Sequence, residues 1–178
     1  MTRFRIVLVA SFVVLASLVA AASPLPPPIS GDFHPTWSPD GRHVAFFRSD
    51  GDEAARGLYR VNVATRALTR LTNERQSVTG LDWSPDGARL VYAKTLAIPN
   101  RPPPAEQQDV LTIGSNGANV QNITGTETDE FAPVWSPDGR RVAFVASASG
   151  RTAIAVMNAD GSGRRSLAVG PGNDLDPA

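Results

Sequence analysis

No cysteine occurs in the 178 residues. That excludes disulfide frameworks, thiolate zinc sites and cysteine nucleophiles, and it leaves stability to packing. An excess of charge of one sign is also lacking. Lys plus Arg and Asp plus Glu both count 17, so there is no strongly basic surface to neutralise phosphates and nucleic acid is not expected as a partner. The only two histidines are His34 and His43, with no ligand spacing nearby beyond Asp32 and Asp40, so no metal site is expected. A G-x-S-x-G nucleophile elbow is missing. Gly114-Ser115-Asn116-Gly117 lacks the lysine and the strand-to-helix setting of a phosphate loop. No catalytic residue and no cofactor are assigned. What the chain has in number is 15 Gly and 15 Pro, in a composition 42% hydrophobic and 19% charged. This suits a turn-rich β chain of one domain's length rather than a helical bundle.

The first segment reads as an export signal. Arg3 and Arg5 precede an apolar run from Ile6 to Val19, and small residues come next in Ala20-Ala21-Ala22-Ser23. This is the order of a charged n-region, an apolar h-region and an A-x-A cleavage site, and the run is short for a bilayer span. Cleavage after Ala22 leaves 15 basic against 17 acidic residues, a net of −2. With no cysteine to accept a lipid, the mature protein is expected to be soluble in the periplasm or outside the cell, without stable membrane insertion. Residues 23–30 then form a stiff proline-rich lead-in.

An internal repeat organises the rest. Trp-Ser-Pro-Asp-Gly occurs at Trp37–Gly41, Trp83–Gly87 and Trp135–Gly139, with Trp-to-Trp steps of 46 and 52 residues. Steps of this size suit one four-stranded propeller blade per repeat. In each copy the proline (Pro39, Pro85, Pro137) has its φ preset for a type I turn. The aspartate (Asp40, Asp86, Asp138) can accept nearby amides, and the glycine (Gly41, Gly87, Gly139) supplies a positive φ. The next strands, Val44–Phe47, Leu90–Ala93 and Val142–Val145, are apolar on both alternating faces, so each should be covered on both sides. Third strands are expected at Leu58–Asn62, Val110–Gly114 and Ile154–Asn158, and fourth strands ending at Leu71-Thr72, Ile123-Thr124 and Leu167-Ala168. From the end of strand three to the end of strand four the step is nine residues each time, whereas from Trp to the end of strand three it is 25, 31 and 23. Length variation therefore falls between strands two and three.

The W-S-P-D-G turn, the Val-Ala-Phe after it and Val156-Met157-Asn158-Ala159-Asp160-Gly161 resemble the repeat of TolB-type six-bladed β-propellers, over residues 31–178. The resemblance implies an all-β fold, a β-propeller of four-stranded antiparallel blades with three blades present. Their approximate spans are 31–77, 78–129 and 130–170, with the start of a fourth at 171–178. In the family a propeller of this kind comes after an amino-terminal α/β domain in a periplasmic component of the Tol-Pal system, which would imply binding to an envelope lipoprotein. Here the repeat begins about eight residues after the expected cleavage site, and the second copy has Leu81 where the others have Pro35 and Pro133. The same repeat also occurs in peptidases and lyases.

Asp40, Asp86 and Asp138 are explained by turn chemistry rather than acid–base chemistry. Trp37, Trp83 and Trp135 are expected to pack blade against blade. Arg140-Arg141 and Arg164-Arg165 read as solvated charges. If the Trp-bearing strand is innermost, the loops from strand two to three and from strand four to the next strand one open on one face. That face would carry the Ile98–Pro104 insertion with Arg101, and the acidic run Glu127, Asp129 and Glu130, as candidate binding residues. The expected function is an exported, non-enzymatic scaffold for a protein or cell-envelope component. The alternatives are the propeller segment of an exported hydrolase of prolyl-oligopeptidase type or of a lyase, and a truncated gene product. Asp174–Ala178 matches the approach to Trp in the other copies, so a fourth blade is expected to begin there. Pairing of two chains would give a six-bladed ring.

Mass spectrometry of the chain recovered from the exported fraction should show residues 1–22 removed and Ser23 at the amino terminus. An intact Met1 in the membrane fraction would show the apolar run to be an anchor.

Overall fold

The computed structural model describes residues 31–49, 53–74, 76–97, 106–148 and 150–167. The expected signal peptide, the proline-rich lead-in, Arg101 and the expected start of a fourth blade lie outside the described residues.

Among the described residues, twelve strands form three four-stranded antiparallel sheets, each a simple meander in chain order. The first holds β1 (Gly31–Trp37), β2 (His43–Ser49), β3 (Gly57–Asn62) and β4 (Leu68–Arg70), with a 3-10 turn at Glu53–Ala55 between β2 and β3. The second holds β5 (Val78–Trp83), β6 (Arg89–Ala97), β7 (Glu106–Gly114) and β8 (Gln121–Asn122). The third holds β9 (Asp129–Trp135), β10 (Arg141–Ala148), β11 (Arg151–Asn158) and β12 (Arg165–Ser166). Extra length between strands two and three is partly taken up as ladder in the second sheet, where β6 pairs with β7 from Arg89↔Gly114 out to Ala97↔Glu106.

Side-chain alternation along the middle strands builds the core. On β6, Leu90 and Tyr92 join Trp83, Leu111 and Ile113 to meet Ala45, Phe47, Leu58 and Leu71 of the first sheet. The intervening Val91 turns the other way, and with Val110 and Ile123 it meets Trp135, Val142, Phe144 and Met157 of the third. Each sheet thus has a leading face, bearing the tryptophan, and an apolar trailing face without one. Each junction sets a trailing face on the next leading face. Full burial of one such large side chain stabilises by about 1.5–3 kcal/mol. β6 is apolar on both faces because neighbours cover both.

One expectation is corrected. Trp83 and Trp135 are buried, but Trp37 is 61% exposed. No sheet among the described residues packs on the leading face of the first sheet, so the residue type that makes a junction elsewhere stands in the open there.

A bulge recurs three residues before each tryptophan. His34, Gly80 and Ala132 have φ of 54°, 64° and 50°, and the register between strands one and two slips at these points. The extra residue twists the innermost strand and re-aims the side chains between it and the tryptophan.

Two glycines are held for different reasons. Gly139 has φ +67° at the close of its turn, with only Pro85 near a prospective Cβ. Gly161, at φ +88°, would put a Cβ 2.4 Å from the Ile123 carbonyl oxygen of the neighbouring sheet. Gly139→Ala should therefore cost on the order of 1 kcal/mol, from backbone strain. Gly161→Ala should cost more, because a rigid backbone atom of the adjacent sheet must also move. Denaturant midpoints of the two variants give the comparison, and equal midpoints would mean that the sheets can separate at the rim without cost.

Candidate functional site

The three W-S-P-D-G turns share one hydrogen-bonded form. In the first, Gly41 N–H donates to the Ser38 carbonyl at 2.9 Å. The Ser38 hydroxyl donates to Asp40 Oδ1 at 2.6 Å, and the same oxygen accepts Arg42 N–H at 2.9 Å. His43 N–H closes back on Ser38 Oγ at 2.9 Å. Ser84, Asp86, Ala88 and Arg89 repeat this arrangement, and so do Ser136, Asp138, Arg140 and Arg141. Donation by the serine hydroxyl first, and then by the backbone N–H, holds the carboxyls of Asp40, Asp86 and Asp138 below the ordinary 3.8. The serines are not poised as nucleophiles, since each hydroxyl proton is committed to its own turn's carboxylate.

Between the first and second turns lies an open groove of about 480 Å³, lined by Ser38, Asp40, His43, Arg60, Trp83 and Asp86 among others. Its walls are the trailing face of the first sheet and the leading face of the second. Buried Arg60 Nε and Trp83 Nε1 have no hydrogen-bond acceptor in the protein. At the equivalent place in the second junction, Arg89 lies with its guanidinium 4.7 Å from the Trp135 ring centroid. His43 occupies that register in the first, where its ring nitrogen stands 3.5 Å from the Asn62 amide. A half-buried imidazole in place of a guanidinium does not reach across the tryptophan. The groove offers the second carboxylate oxygens of the exposed Asp40 and Asp86 beside the half-buried Arg60. That mixture suits a peptide or another polar ligand carrying both acceptors and positive charge.

Sequence reasoning missed this groove. Arg60 matches Thr112 and Val156 in the other repeats, and that substitution in a buried strand face was its one available signal.

At the other end the acidic run is divided rather than presented as one exposed loop. Glu127 is exposed. Asp129 opens β9 and accepts Gln108 N–H at 2.9 Å. Glu130 is wholly buried, paired with Arg164 at 2.9 Å and hydrogen-bonded by Thr126 at 2.6 Å and by Thr128. Arg164, exposed along part of its length, also lies 5.2 Å from the Phe144 ring centroid. A carboxylate buried with a cation and two hydroxyls is engaged internally and unavailable to a partner. Among the described residues no group of three or more His, Asp or Glu is placed to hold a metal.

On the inner strands Asp82 links all three sheets. Its carboxylate accepts Trp83 N–H at 3.0 Å and, across the junction, Trp135 N–H at 2.8 Å, with a further bond from the Thr36 side chain. Burial raises its pKa above the ordinary value, against those three hydrogen bonds.

These sheets are blades of a β-propeller. No family model matches the chain. It is 35% identical over 107 residues to the Tol-Pal system protein TolB of Anaeromyxobacter dehalogenans, which covers 60% of this chain and 23% of that protein. It is 37% identical over 73 residues to dipeptidyl-peptidase 5 of Porphyromonas gingivalis, covering 41% of this chain and 10% of that one. Among solved structures, TolB from Acinetobacter baumannii superposes with a TM-score of 0.62 at 21% identity, over 76% of this chain and 32% of the other. The chain thus spans less than a quarter of the length of these two curated relatives, and the fold it shares is that of the TolB propeller.

The depressed turn carboxyls give a pH dependence of definite sign. A folded-state pKa below the unfolded value adds stability above about pH 3.8, which is lost as pH falls through the folded value. Asp82, with a raised pKa, acts in the opposite sense and favours the folded state when protonated. The melting temperature should fall as pH drops through and below about 3.8, and less so in the triple variant Asp40→Asn/Asp86→Asn/Asp138→Asn. Parallel slopes for the two proteins would show that these turns do not carry acid sensitivity.

Proposed function

We propose that the protein is an exported, non-enzymatic propeller that binds a protein or a component of the cell envelope. The observation that carries this reading is the groove between the first two turns. Its turn serines are committed to their own aspartates while the exposed Asp40 and Asp86 and the half-buried Arg60 line an open surface, an arrangement that supports recognition of a ligand rather than its transformation. The order of charged, apolar and small residues at the amino terminus supports export. The likeness to a Tol-Pal system protein supports an envelope setting. At the other end, the exposed Glu127 and Asp129 supply a second set of groups for a partner.

A second reading comes from the match to dipeptidyl-peptidase 5: the propeller segment of an exported peptidase, with the chemistry on another part of the polypeptide. Sequence of the gene beyond the codon for Ala178 decides this, since an in-frame hydrolase domain there would replace the scaffold reading.

Crosslinking of the tagged mature chain in the exported fraction, with mass spectrometry of the products, tests the first reading. A captured partner that is lost with Arg60→Ala and kept with Glu127→Ala would place recognition on the groove. The reverse pattern would place it on the loop face. Capture of no partner by the native chain would remove the reading.

A further inference from the structure

One turn of the second sheet carries chemistry that its counterparts do not. Between β7 and β8 the chain runs Gly114-Ser115-Asn116-Gly117-Ala118, and of all the asparagines in the sequence only Asn116 is followed by glycine. The turn is closed by Gly117 N–H on the Gly114 carbonyl at 2.8 Å and by Gly114 N–H on the Ala118 carbonyl at 2.7 Å. Asn116 is exposed. Its side chain folds back along the main chain, with Oδ1 accepting Ala118 N–H at 3.0 Å. That bond holds the side-chain amide carbon beside the peptide that joins Asn116 to Gly117. Gly117 has no Cβ to obstruct an approach between the two.

We propose that Asn116 is a site of spontaneous deamidation. The backbone nitrogen of Gly117 attacks the side-chain amide carbon of Asn116, a carbon–nitrogen bond forms, and the amide nitrogen leaves as ammonia with the proton from Gly117. The product is a cyclic imide. Water then adds to one of its two carbonyl carbons. Opening at the side-chain carbonyl leaves an ordinary aspartate, and opening at the backbone carbonyl leaves an isoaspartate, whose main chain runs through Cβ. Because the Gly117 N–H is engaged in the closed turn, attack takes place in molecules whose turn has opened. β8, which follows the turn, is only 2 residues long, and so short an outer strand opens locally at low free-energy cost.

The two products differ in consequence. The third sheet already carries an aspartate in the equivalent turn, where Asp160 Oδ1 accepts Ser162 N–H at 2.9 Å and Gly161 N–H closes on the Asn158 carbonyl at 2.9 Å. An aspartate at position 116 therefore fits the turn as it stands, and it adds a charge to a cavity of about 380 Å³ that Arg89 also lines. Isoaspartate does not fit. It lengthens the main chain just before Gly117, whose φ is +87° and whose prospective Cβ lies 2.8 Å from the Leu71 carbonyl oxygen. The added atom must be absorbed where the first two sheets meet at the rim. The modification is independent of what the groove or the loops bind.

Peptide mapping by mass spectrometry, on the purified chain incubated at mildly alkaline pH, tests the proposal. Asn116 should convert faster than Asn119 and Asn122, with the mass shift of an amide-to-acid exchange and with both aspartate and isoaspartate among the products. The denaturant midpoint of fresh Asn116→Asp should match that of the fresh native chain. On incubation the native midpoint should fall, and that of Asn116→Gln, whose longer side chain closes the ring far more slowly, should hold. Asn116 left intact while a free peptide of residues 114–120 converts fully would overturn the proposal, since the turn would then not open. So would aspartate formed without isoaspartate, which would exclude the cyclic imide. An equal fall in the native and Asn116→Gln midpoints would overturn the assigned effect at the rim.

Discussion

Face-to-face burial between successive sheets is the constraint on which the rest depends. The sheets are small, and their outermost strands reduce to Leu68–Arg70, Gln121–Asn122 and Arg165–Ser166, too short to stand alone. Stability comes from the middle strands where they pack at the two junctions, and β6, with a neighbour on each side, is apolar on both alternating faces. Stacking excludes water from both sides of β6, and several carboxylates near the junctions find partners inside, whereas the indole nitrogens of Trp83 and Trp135 have none. Glu130 finds Arg164 and two threonines. Glu74 finds the Tyr92 hydroxyl and the Lys94 ammonium, and burial beside that carboxylate pushes the Tyr92 phenol well above its ordinary range.

The fold was legible because its signals are local and repeated. A proline, an aspartate and a glycine at fixed places in a turn, and an apolar strand directly after them, carry their own geometry, and three copies fix the spacing. The bulge before each tryptophan was not legible. Only Gly80 advertises a positive φ, whereas His34 and Ala132 adopt one under tertiary packing that no local preference announces. The state of the tryptophans was legible only in part. The sequence pattern assigns all three to junctions, but a junction needs two faces, and whether the second is present is not a property of the repeat itself.

Candidate binding residues were harder to read for a related reason. Glu127, Asp129 and Glu130 are adjacent in sequence and look alike, but entry into β9 turns one of them fully inward and ties another to a backbone amide. Charge in a loop and charge at the start of a strand differ only in register, and one residue of register decides between solvent and core. The groove between the first two turns arises from the opposite effect. Its residues, His43, Arg60 and Trp83, are scattered over 40 positions of sequence and meet only when one sheet packs on the next. Nothing local marks them as a set.

Asp82 carries a consequence for how such a chain can evolve. Repeats that arise by duplication begin as interchangeable copies, free to be shuffled, deleted or permuted. Here the residue before the tryptophan is Thr36 in the first repeat, Asp82 in the second and Val134 in the third, and only the middle one ties its neighbours together through the Thr36 side chain and the Trp135 amide. Exchanging the middle repeat with either flank would leave a carboxylate at the edge and an aliphatic side chain at the centre. The order of the repeats is thus written into a single position, and an array that began as copies has become one that can no longer be rearranged freely.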